Sequence, residues 1–287
     1  MIANNQHYPP ITNWTDAYEN GAYIPNASDF PPRWNTSAAA FRERLGERAE
    51  LNIAYGDKPR QRLDLFRPLG TAQGLFVFVH GGYWKAFDQS TWSHFAQALV
   101  EAGWAVAMPA YTLAPEARIA DITQEIAAAI TQAASLVDGP IHLSGHSAGG
   151  HLVTRMLCAN GPLATPEAAD VLSRIRHVVS ISGVHDLRPL LKTDMNTILN
   201  LDTAEAVAES VVLQEPIHSA TLLCLVGGAE RPEFIRQSAL LANIWAGCGL
   251  ETKLVVAEGK HHFDVIDALC NADQLAMFAT NSGFSAL

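Results

Sequence analysis

Residues 145–149, Gly-His-Ser-Ala-Gly, separate a stretch with the pattern of a strand from a stretch with the pattern of a helix. The apolar run at residues 140–143 predicts a buried strand, and small and apolar residues recur at helical spacing over residues 148–158. Glycines two positions before and after Ser147 allow a strand and a helix to pass closely through a sharp turn. Such a strained turn presents its serine to a substrate, and the helix N-terminus faces any anion formed there. We therefore predict that Ser147 is a nucleophile.

The composition indicates a soluble protein with one large core. Of the 287 residues, 48% are hydrophobic and 17% are charged, which favours a single α/β domain over residues 1–287. The net charge of −10, without a basic stripe, argues against nucleic acid as a partner. No apolar stretch reaches the length of a membrane span, and the first residues lack a signal-peptide pattern. The four scattered cysteines suit reduced thiols, so we expect a cytoplasmic protein and leave a homodimer open.

Strand and helix patterns alternate along most of the chain. Strands are predicted at residues 75–79, 104–108, 140–143, 177–181, 222–226 and 252–257. Helices are predicted at about residues 89–102, 119–136, 148–158, 232–246 and 263–279. This alternation indicates a mostly parallel, doubly wound α/β sheet with right-handed crossovers.

Three regions depart from the alternation. Residues 51–55 and 63–66 predict two antiparallel edge strands. Residues 1–50 predict an N-terminal arm, rich in aromatic residues over 1–34, followed by an amphipathic helix over 36–50. Residues 183–216 break the rhythm of strands and helices, which predicts an inserted cap over the ends of the strands.

A serine nucleophile needs a general base and an acid that orients it. Chains with this turn carry these groups in the order serine, acid, histidine. Of the two histidines after the last strand, we predict His262 as the base, because apolar residues fix the helix start that follows it; His261 suits an exposed loop. The loop after residues 222–226 offers Glu230 at its mouth and Glu233 inside the next helix. We predict Glu230 as the acid and Glu233 as a residue that caps the helix N-terminus, with Glu233 as the alternative acid.

The motif His-Gly-Gly-Tyr-Trp at residues 80–84 follows the strand at 75–79. Its glycines let the backbone approach a substrate oxygen, so we predict that Gly81 and Gly82 form an oxyanion hole with the amide of Ala148. Tyr83 and Trp84 come next and are predicted to bind an aromatic substrate. Since no His, Asp or Glu cluster has metal-ligand spacing, we predict neither a metal nor a cofactor.

Several motifs together resemble a known family. They lie at residues 55–56 and 63–68, at 80–84 and 111–115, at 145–152 (Gly-His-Ser-Ala-Gly-Gly-His-Leu), at 182–187 (Ser-Gly-Val-His-Asp-Leu), at 228–234 and at 262–263. From about Leu51 to its end, the chain resembles the arylformamidase (kynurenine formamidase) branch of the hormone-sensitive-lipase-like α/β-hydrolases.

The resemblance implies the α/β-hydrolase fold and a serine hydrolase that works through an acyl-enzyme intermediate. It implies a small ester or formamide substrate, with N-formylkynurenine, cleaved to kynurenine and formate, as the first expectation. Because related proteins include carboxylesterases, a broad short-chain carboxylesterase is the alternative. Members of the branch commonly carry Asp where this chain has Glu230, so the acid departs from the family pattern.

Overall fold

The computed structural model describes residues 10–217, 220–271, 274 and 278. The strands of this part of the chain are β1 (Ala49–Ala54), β2 (Arg62–Phe66), β3 (Leu75–Val79), β4 (Ala105–Pro109), β5 (Ile141–His146), β6 (Ile175–Ile181), β7 (Thr221–Gly227) and β8 (Thr252–Ala257). They form one sheet in the order β1-β2-β4-β3-β5-β6-β7-β8. β1 and β2 pair antiparallel, β2 pairs antiparallel with β4, and β3 to β8 pair in parallel. The predicted mostly parallel sheet with an antiparallel edge is confirmed.

The α-helices of the described residues are α1 (Trp14–Tyr18), α2 (Phe30–Leu45), α3 (Gln97–Glu101), α4 (Ile119–Leu136), α5 (Ala148–Arg155), α6 (Ala169–Arg174), α7 (Asn196–Leu199), α8 (Thr203–Ala208) and α9 (Pro232–Gly247). The predicted bounds of α4 are confirmed. The apolar side chains of α4 face the core. The carboxylate of Asp121 caps the N-terminus of the helix, because it accepts a hydrogen bond from the amide of Arg118 at 3.2 Å.

Other helix predictions were wrong in their bounds. The helix predicted at residues 36–50 begins earlier, because two prolines occupy its first turn, and it ends at Leu45, because Gly46 adopts a φ of 60°. The segment predicted as a helix at 89–102 consists of two 3₁₀ turns (Gln89–Thr91 and Ser93–Ala96) and the short α3. Of the helix predicted at 263–279, the structure describes a 3₁₀ helix at Val265–Cys270, and most of the remainder lies outside the described residues.

Both faces of the sheet are covered. Alternate side chains of β3 enter two different apolar clusters: Val77 and Val79 pack in one, and Phe76 and Phe78 pack in the other. A strand buried on both faces has no polar alternation, which is why the sequence of β3 is a continuous apolar run. No helix in the described part of the chain is long and apolar enough to cross a membrane.

The residues before α2 and the segment at residues 183–216 are built from short helices and 3₁₀ turns. Within the predicted arm, α1 and the 3₁₀ turns at Gly21–Tyr23 and Ala27–Asp29 precede α2. Within residues 183–216, α7 and α8 lie between 3₁₀ turns at Arg188–Lys192 and Val211–Leu213, and the segment joins β6 to β7.

The parallel strands bring the predicted site residues to one edge of the sheet. β3, β5, β7 and β8 run in the same direction, so the loops that follow them leave from the same edge. Those loops carry, in turn, Gly81, Ser147, Glu230 and His262. Ligand sites of open α/β sheets lie outside the carboxyl ends of the strands, which makes this edge the candidate site.

Candidate active site

Ser147 lies at the tip of the turn between β5 and α5, with φ of 56° and ψ of −117°. This is a strained conformation for a residue with a side chain, and tight packing holds it. A Cβ atom on Gly145 would lie 2.1 Å from the carbonyl oxygen of Gly149, and a Cβ on Gly149 would lie 2.0 Å from that of Val79. The close approach of strand and helix therefore requires both glycines. Ser147 is 2% exposed.

The loop that follows β3 runs directly against this turn. A Cβ atom on Gly81 would lie 2.8 Å from the carbonyl oxygen of His146 and 3.0 Å from Cβ of Ser147. Among the hydrogen bonds of the described residues, none uses the amide of Gly81, Gly82 or Ala148 as its donor. Donors at the end of a strand and at a helix N-terminus, beside a serine, suit the binding of an oxyanion.

Glu230 and His262 form a buried hydrogen-bonded pair. The distance from Nδ1 of His262 to Oε2 of Glu230 is 2.6 Å, and both side chains are at most 5% exposed. The second oxygen of Glu230 accepts hydrogen bonds from the hydroxyl of Ser182 and from the amide of Gly227, the latter at 2.8 Å. A carboxylate fixed by these donors orients the imidazole, with its proton on Nδ1 and with Nε2 as the acceptor.

His146 links this pair to the turn that carries Ser147. Its Nε2 donates a hydrogen bond to the carbonyl oxygen of His262 at 2.9 Å, and the two imidazole rings lie 4.6 Å apart. Burial and the neighbouring His262 hold the pKa of His146 well below its usual value, so its ring is neutral. The residue before Ser147 thus anchors the backbone of His262 beside the turn.

The alternative base and acid are engaged elsewhere. His261 Nδ1 accepts hydrogen bonds from the amides of Phe263 and Asp264, both at 3.2 Å, which closes a local turn. Glu233 lies in the first turn of α9, but its carboxylate does not cap the helix. It accepts hydrogen bonds from Tyr18, Arg236 and Gln237, at 2.8, 2.6 and 2.8 Å. Glu230 and Glu233 are the candidate acids, and His261 and His262 are the candidate bases. The structure pairs Glu230 with His262.

The two aromatic residues after the glycines differ in their surroundings. Tyr83 is partly exposed, and its hydroxyl donates a hydrogen bond to the carbonyl oxygen of Tyr18 at 2.5 Å. Trp84 is completely buried in a core cluster, and its ring packs edge-on against His151 at 5.3 Å. Trp84 has a positive φ of 56°, and its contact with a substrate stays a prediction.

The remaining buried histidines of this edge are neutral. Burial lowers the pKa of His80 and of His151 to about 4, and that of His185 to about 3. His80 donates from Nδ1 to the carbonyl oxygen of Gly81 at 2.7 Å and stacks on Tyr111 with ring centres 4.4 Å apart. These contacts are structural. In the part of the chain that the structure describes, no group of three His, Cys, Asp or Glu side chains could hold a metal ion.

Sequence reasoning missed two residues that contact the predicted site. Ser182 has a φ of 51° and donates its hydroxyl to Glu230. It lies in the Ser-Gly-Val-His-Asp-Leu motif, which was the only signal for it. Tyr18 was one of several aromatic residues in the arm, and no pattern in the sequence distinguished it from the others.

The fold and the site define the class of protein. A family model described as alpha/beta hydrolase fold matches residues 76–264, about two thirds of the chain. The chain belongs to the alpha/beta hydrolase family and is an enzyme of the hydrolase type.

Similar proteins include formamidases and esterases. Kynurenine formamidase of Danio rerio is 27% identical over 236 residues, which span 78% of this chain and 78% of that protein. Isoprenylcysteine alpha-carbonyl methylesterase of Arabidopsis thaliana is 25% identical over 250 residues, 77% of this chain and 58% of that protein. A crystal structure from Silicibacter sp. tm1040, described as a proposed thioesterase, is 52% identical, with a TM-score of 0.86 over 92% of this chain and 98% of that chain. The resemblance to kynurenine formamidases is confirmed.

Proposed function

We propose that the protein is a serine hydrolase in which Ser147 is the nucleophile, His262 the general base and Glu230 the orienting acid. The observation that carries this proposal is the 2.6 Å bond from Nδ1 of His262 to Glu230 beside the strained turn of Ser147. That bond leaves Nε2 of His262 to accept the proton of the serine hydroxyl. The amides of Gly81, Gly82 and Ala148 are the proposed donors to the oxyanion.

In the proposed reaction, Oγ of Ser147 attacks the carbonyl carbon while Nε2 of His262 takes its proton. The tetrahedral intermediate collapses, the bond to the leaving group breaks, and the leaving amine or alcohol receives the proton from His262. A water molecule then gives a proton to His262 and attacks the acyl-enzyme. Collapse of the second intermediate releases the acid and returns the proton to Oγ of Ser147.

We propose an N-formyl aryl amide such as N-formylkynurenine as the substrate. The similarity to kynurenine formamidase spans 78% of both chains, which supports this choice. Ser147 and His262 are only 2% and 4% exposed, so the site favours a small acyl group, and formyl is the smallest. The partly exposed ring of Tyr83, next to the oxyanion loop, suits contact with an aromatic leaving group.

A short-chain carboxylesterase is the second candidate. The methylesterase relative points to an ester bond, and the structure described as a proposed thioesterase points to a thioester bond. The same acyl-enzyme chemistry serves formamides, esters and thioesters, because each offers a carbonyl carbon that Ser147 can attack and a leaving group that the reaction expels.

Steady-state kinetics on four substrates separates these candidates. N-formylkynurenine is compared with p-nitrophenyl acetate, p-nitrophenyl butyrate and an acetyl thioester, and the Ser147→Ala variant gives the background. For a formamidase we expect kcat/KM to be highest on N-formylkynurenine. Undetectable turnover of the formamide beside efficient turnover of butyrate would reject the formamidase and support the esterase.

A further inference from the structure

The loop that carries the proposed oxyanion donors is strained over three successive residues. Gly82, Tyr83 and Trp84 have φ of 107°, 50° and 56°, all in the left-handed region. For residues with a side chain this conformation is strained, and it persists only where the surroundings impose it. The position of the glycine amides therefore depends on what holds the next two residues.

Tyr83 and Trp84 are anchored to different parts of the chain. Trp84 is held by the core: its ring is buried, and its carbonyl oxygen accepts a hydrogen bond from the amide of Ala114 at 2.8 Å. Tyr83 is held by the arm, since its hydroxyl donates to the carbonyl oxygen of Tyr18 at 2.5 Å. Burial and the carboxylates of Glu19 and Glu230 raise the pKa of the Tyr83 hydroxyl, which keeps it protonated and able to donate.

Tyr18 also reaches the other side of the site. Its side chain is 1% exposed, and its hydroxyl donates to Oε1 of Glu233 at 2.8 Å and accepts from Nε2 of Gln237 at 3.0 Å. Both partners lie on α9, which begins two residues after Glu230. The carbonyl of Tyr18 thus holds the oxyanion loop, and its hydroxyl holds the helix that follows the proposed acid.

A second contact of the arm strengthens this link. The carboxylate of Asp16, also in α1, pairs with the guanidinium of Arg231, the residue next to Glu230. The Arg231 guanidinium also lies 3.8 Å from the ring centre of Tyr23, on the same arm. Residues 16–23 therefore contact both loops that carry the proposed oxyanion donors and the acid.

We propose that Tyr83 and Tyr18 are positioning residues of the hydrolase, through which the N-terminal arm holds the oxyanion-binding amides in place relative to the acid loop. The inference rests on the proposed serine mechanism. An oxyanion donor acts only when it lies within hydrogen-bonding distance of the transition-state oxygen. If the loop moves by about a few tenths of an ångström, we therefore expect kcat to fall more than the affinity of the enzyme for its substrate.

The test removes one hydroxyl from each tyrosine. Tyr83→Phe keeps the ring but breaks the bond to the arm. Tyr55→Phe is the matched control, because the hydroxyl of Tyr55 donates to the carbonyl of Ala110 at 2.6 Å and not to the arm or to the oxyanion loop. Active sites are counted by fluorophosphonate titration, and kinetics on p-nitrophenyl acetate are given per active site. For Tyr83→Phe we expect kcat to fall about tenfold with little change in KM.

A transition-state analogue distinguishes positioning from simple destabilisation. A trifluoromethyl ketone forms a tetrahedral adduct whose oxyanion needs the same donors, so its Ki should rise about tenfold in Tyr83→Phe and stay unchanged in Tyr55→Phe. Tyr18→Phe should also lower kcat, and the loss in the double variant should be smaller than the product of the two single losses, because both act through the same arm.

The outcomes separate the inference from the proposed function. If Tyr83→Phe matches Tyr55→Phe in kcat and Ki per active site, or loses only active sites, the positioning role is wrong while the serine mechanism stands. If Ser147→Ala keeps its turnover, the proposed mechanism itself is wrong, whatever the tyrosine variants show.

Discussion

Replacement of Glu230 by glutamine tests the proposed orienting acid with almost no change in shape. One oxygen of Glu230 accepts hydrogen bonds from Ser182 and Gly227, and the other accepts from Nδ1 of His262 at 2.6 Å. In Glu230→Gln, the two donors keep the amide oxygen on their side, so the NH₂ group faces His262. Two donors cannot share one hydrogen bond, and the imidazole proton moves from Nδ1 to Nε2.

The expected loss follows from this change of tautomer. With its proton on Nε2, His262 cannot take the proton of Ser147, although every side chain stays close to its original place. The corresponding Asp→Asn change in a serine protease costs about 10⁴ in kcat, so we expect a fall of about 10³–10⁴, or about 4–5.5 kcal/mol in activation free energy. The free energy of unfolding should change little, because each hydrogen bond keeps a partner.

The assay is the hydrolysis of p-nitrophenyl acetate under saturating conditions. Glu125→Gln is the matched control: this buried carboxylate accepts hydrogen bonds from the amide and hydroxyl of Thr112, and it should keep wild-type kcat. Glu233→Gln should stay within about tenfold of wild type, since its bonds lead to Tyr18 and not to His262. A Glu230→Gln variant within tenfold of wild type, or a loss of 10³ in Glu233→Gln instead, would refute the reasoning.

Two further predictions concern the turn and the buried histidines. Gly81→Ala should lower kcat about 100-fold or more, because the new Cβ would lie 2.8 Å from the carbonyl of His146 and must displace the loop; wild-type kinetics would contradict this. His80, His151 and His185 have depressed pKa values of about 4, 4 and 3, so below pH 6.5 the unfolded chain binds protons that the folded chain does not. These three residues should therefore lower the free energy of unfolding, measured by urea denaturation, by about 4 kcal/mol at pH 5.5 relative to pH 7.5. His94 and His146, whose pKa values are also lowered, should add to this difference. Equal stability at both values would contradict the neutral, buried state of these rings.

The central strands of the sheet could be predicted because they are buried on both faces. β3 has the predicted bounds, since a continuous apolar run flanked by turn residues leaves one interpretation. β8 also has its predicted bounds, although it is an edge strand whose Leu254 and Val256 are exposed. The two prolines in the first turn of α2 and Gly46 after its end also mark its bounds in the sequence, whereas the periodicity of its apolar residues alone does not.

The contacts of the arm could not be predicted from the sequence. Tyr83 and Tyr18 are 65 positions apart, and the acceptor on Tyr18 is a backbone carbonyl, which any residue would supply. The conformation of the loop at Tyr83 and Trp84 was equally hidden, because both residues have positive φ angles, which residues with a side chain ordinarily avoid. Patterns of neighbouring residues predict helices and strands. The contacts of the arm and the position of Trp84 arise only when segments distant in the sequence pack together.

The most direct test of the account is the site of covalent modification by a fluorophosphonate. After reaction with a small alkyl fluorophosphonate, intact-mass and peptide mass spectrometry should show one adduct per chain on the peptide that contains Ser147. The Ser147→Ala variant should show no adduct and lose turnover by several orders of magnitude. An adduct on a different residue, or equal labelling and turnover in Ser147→Ala, would contradict the claim that Ser147 is the nucleophile.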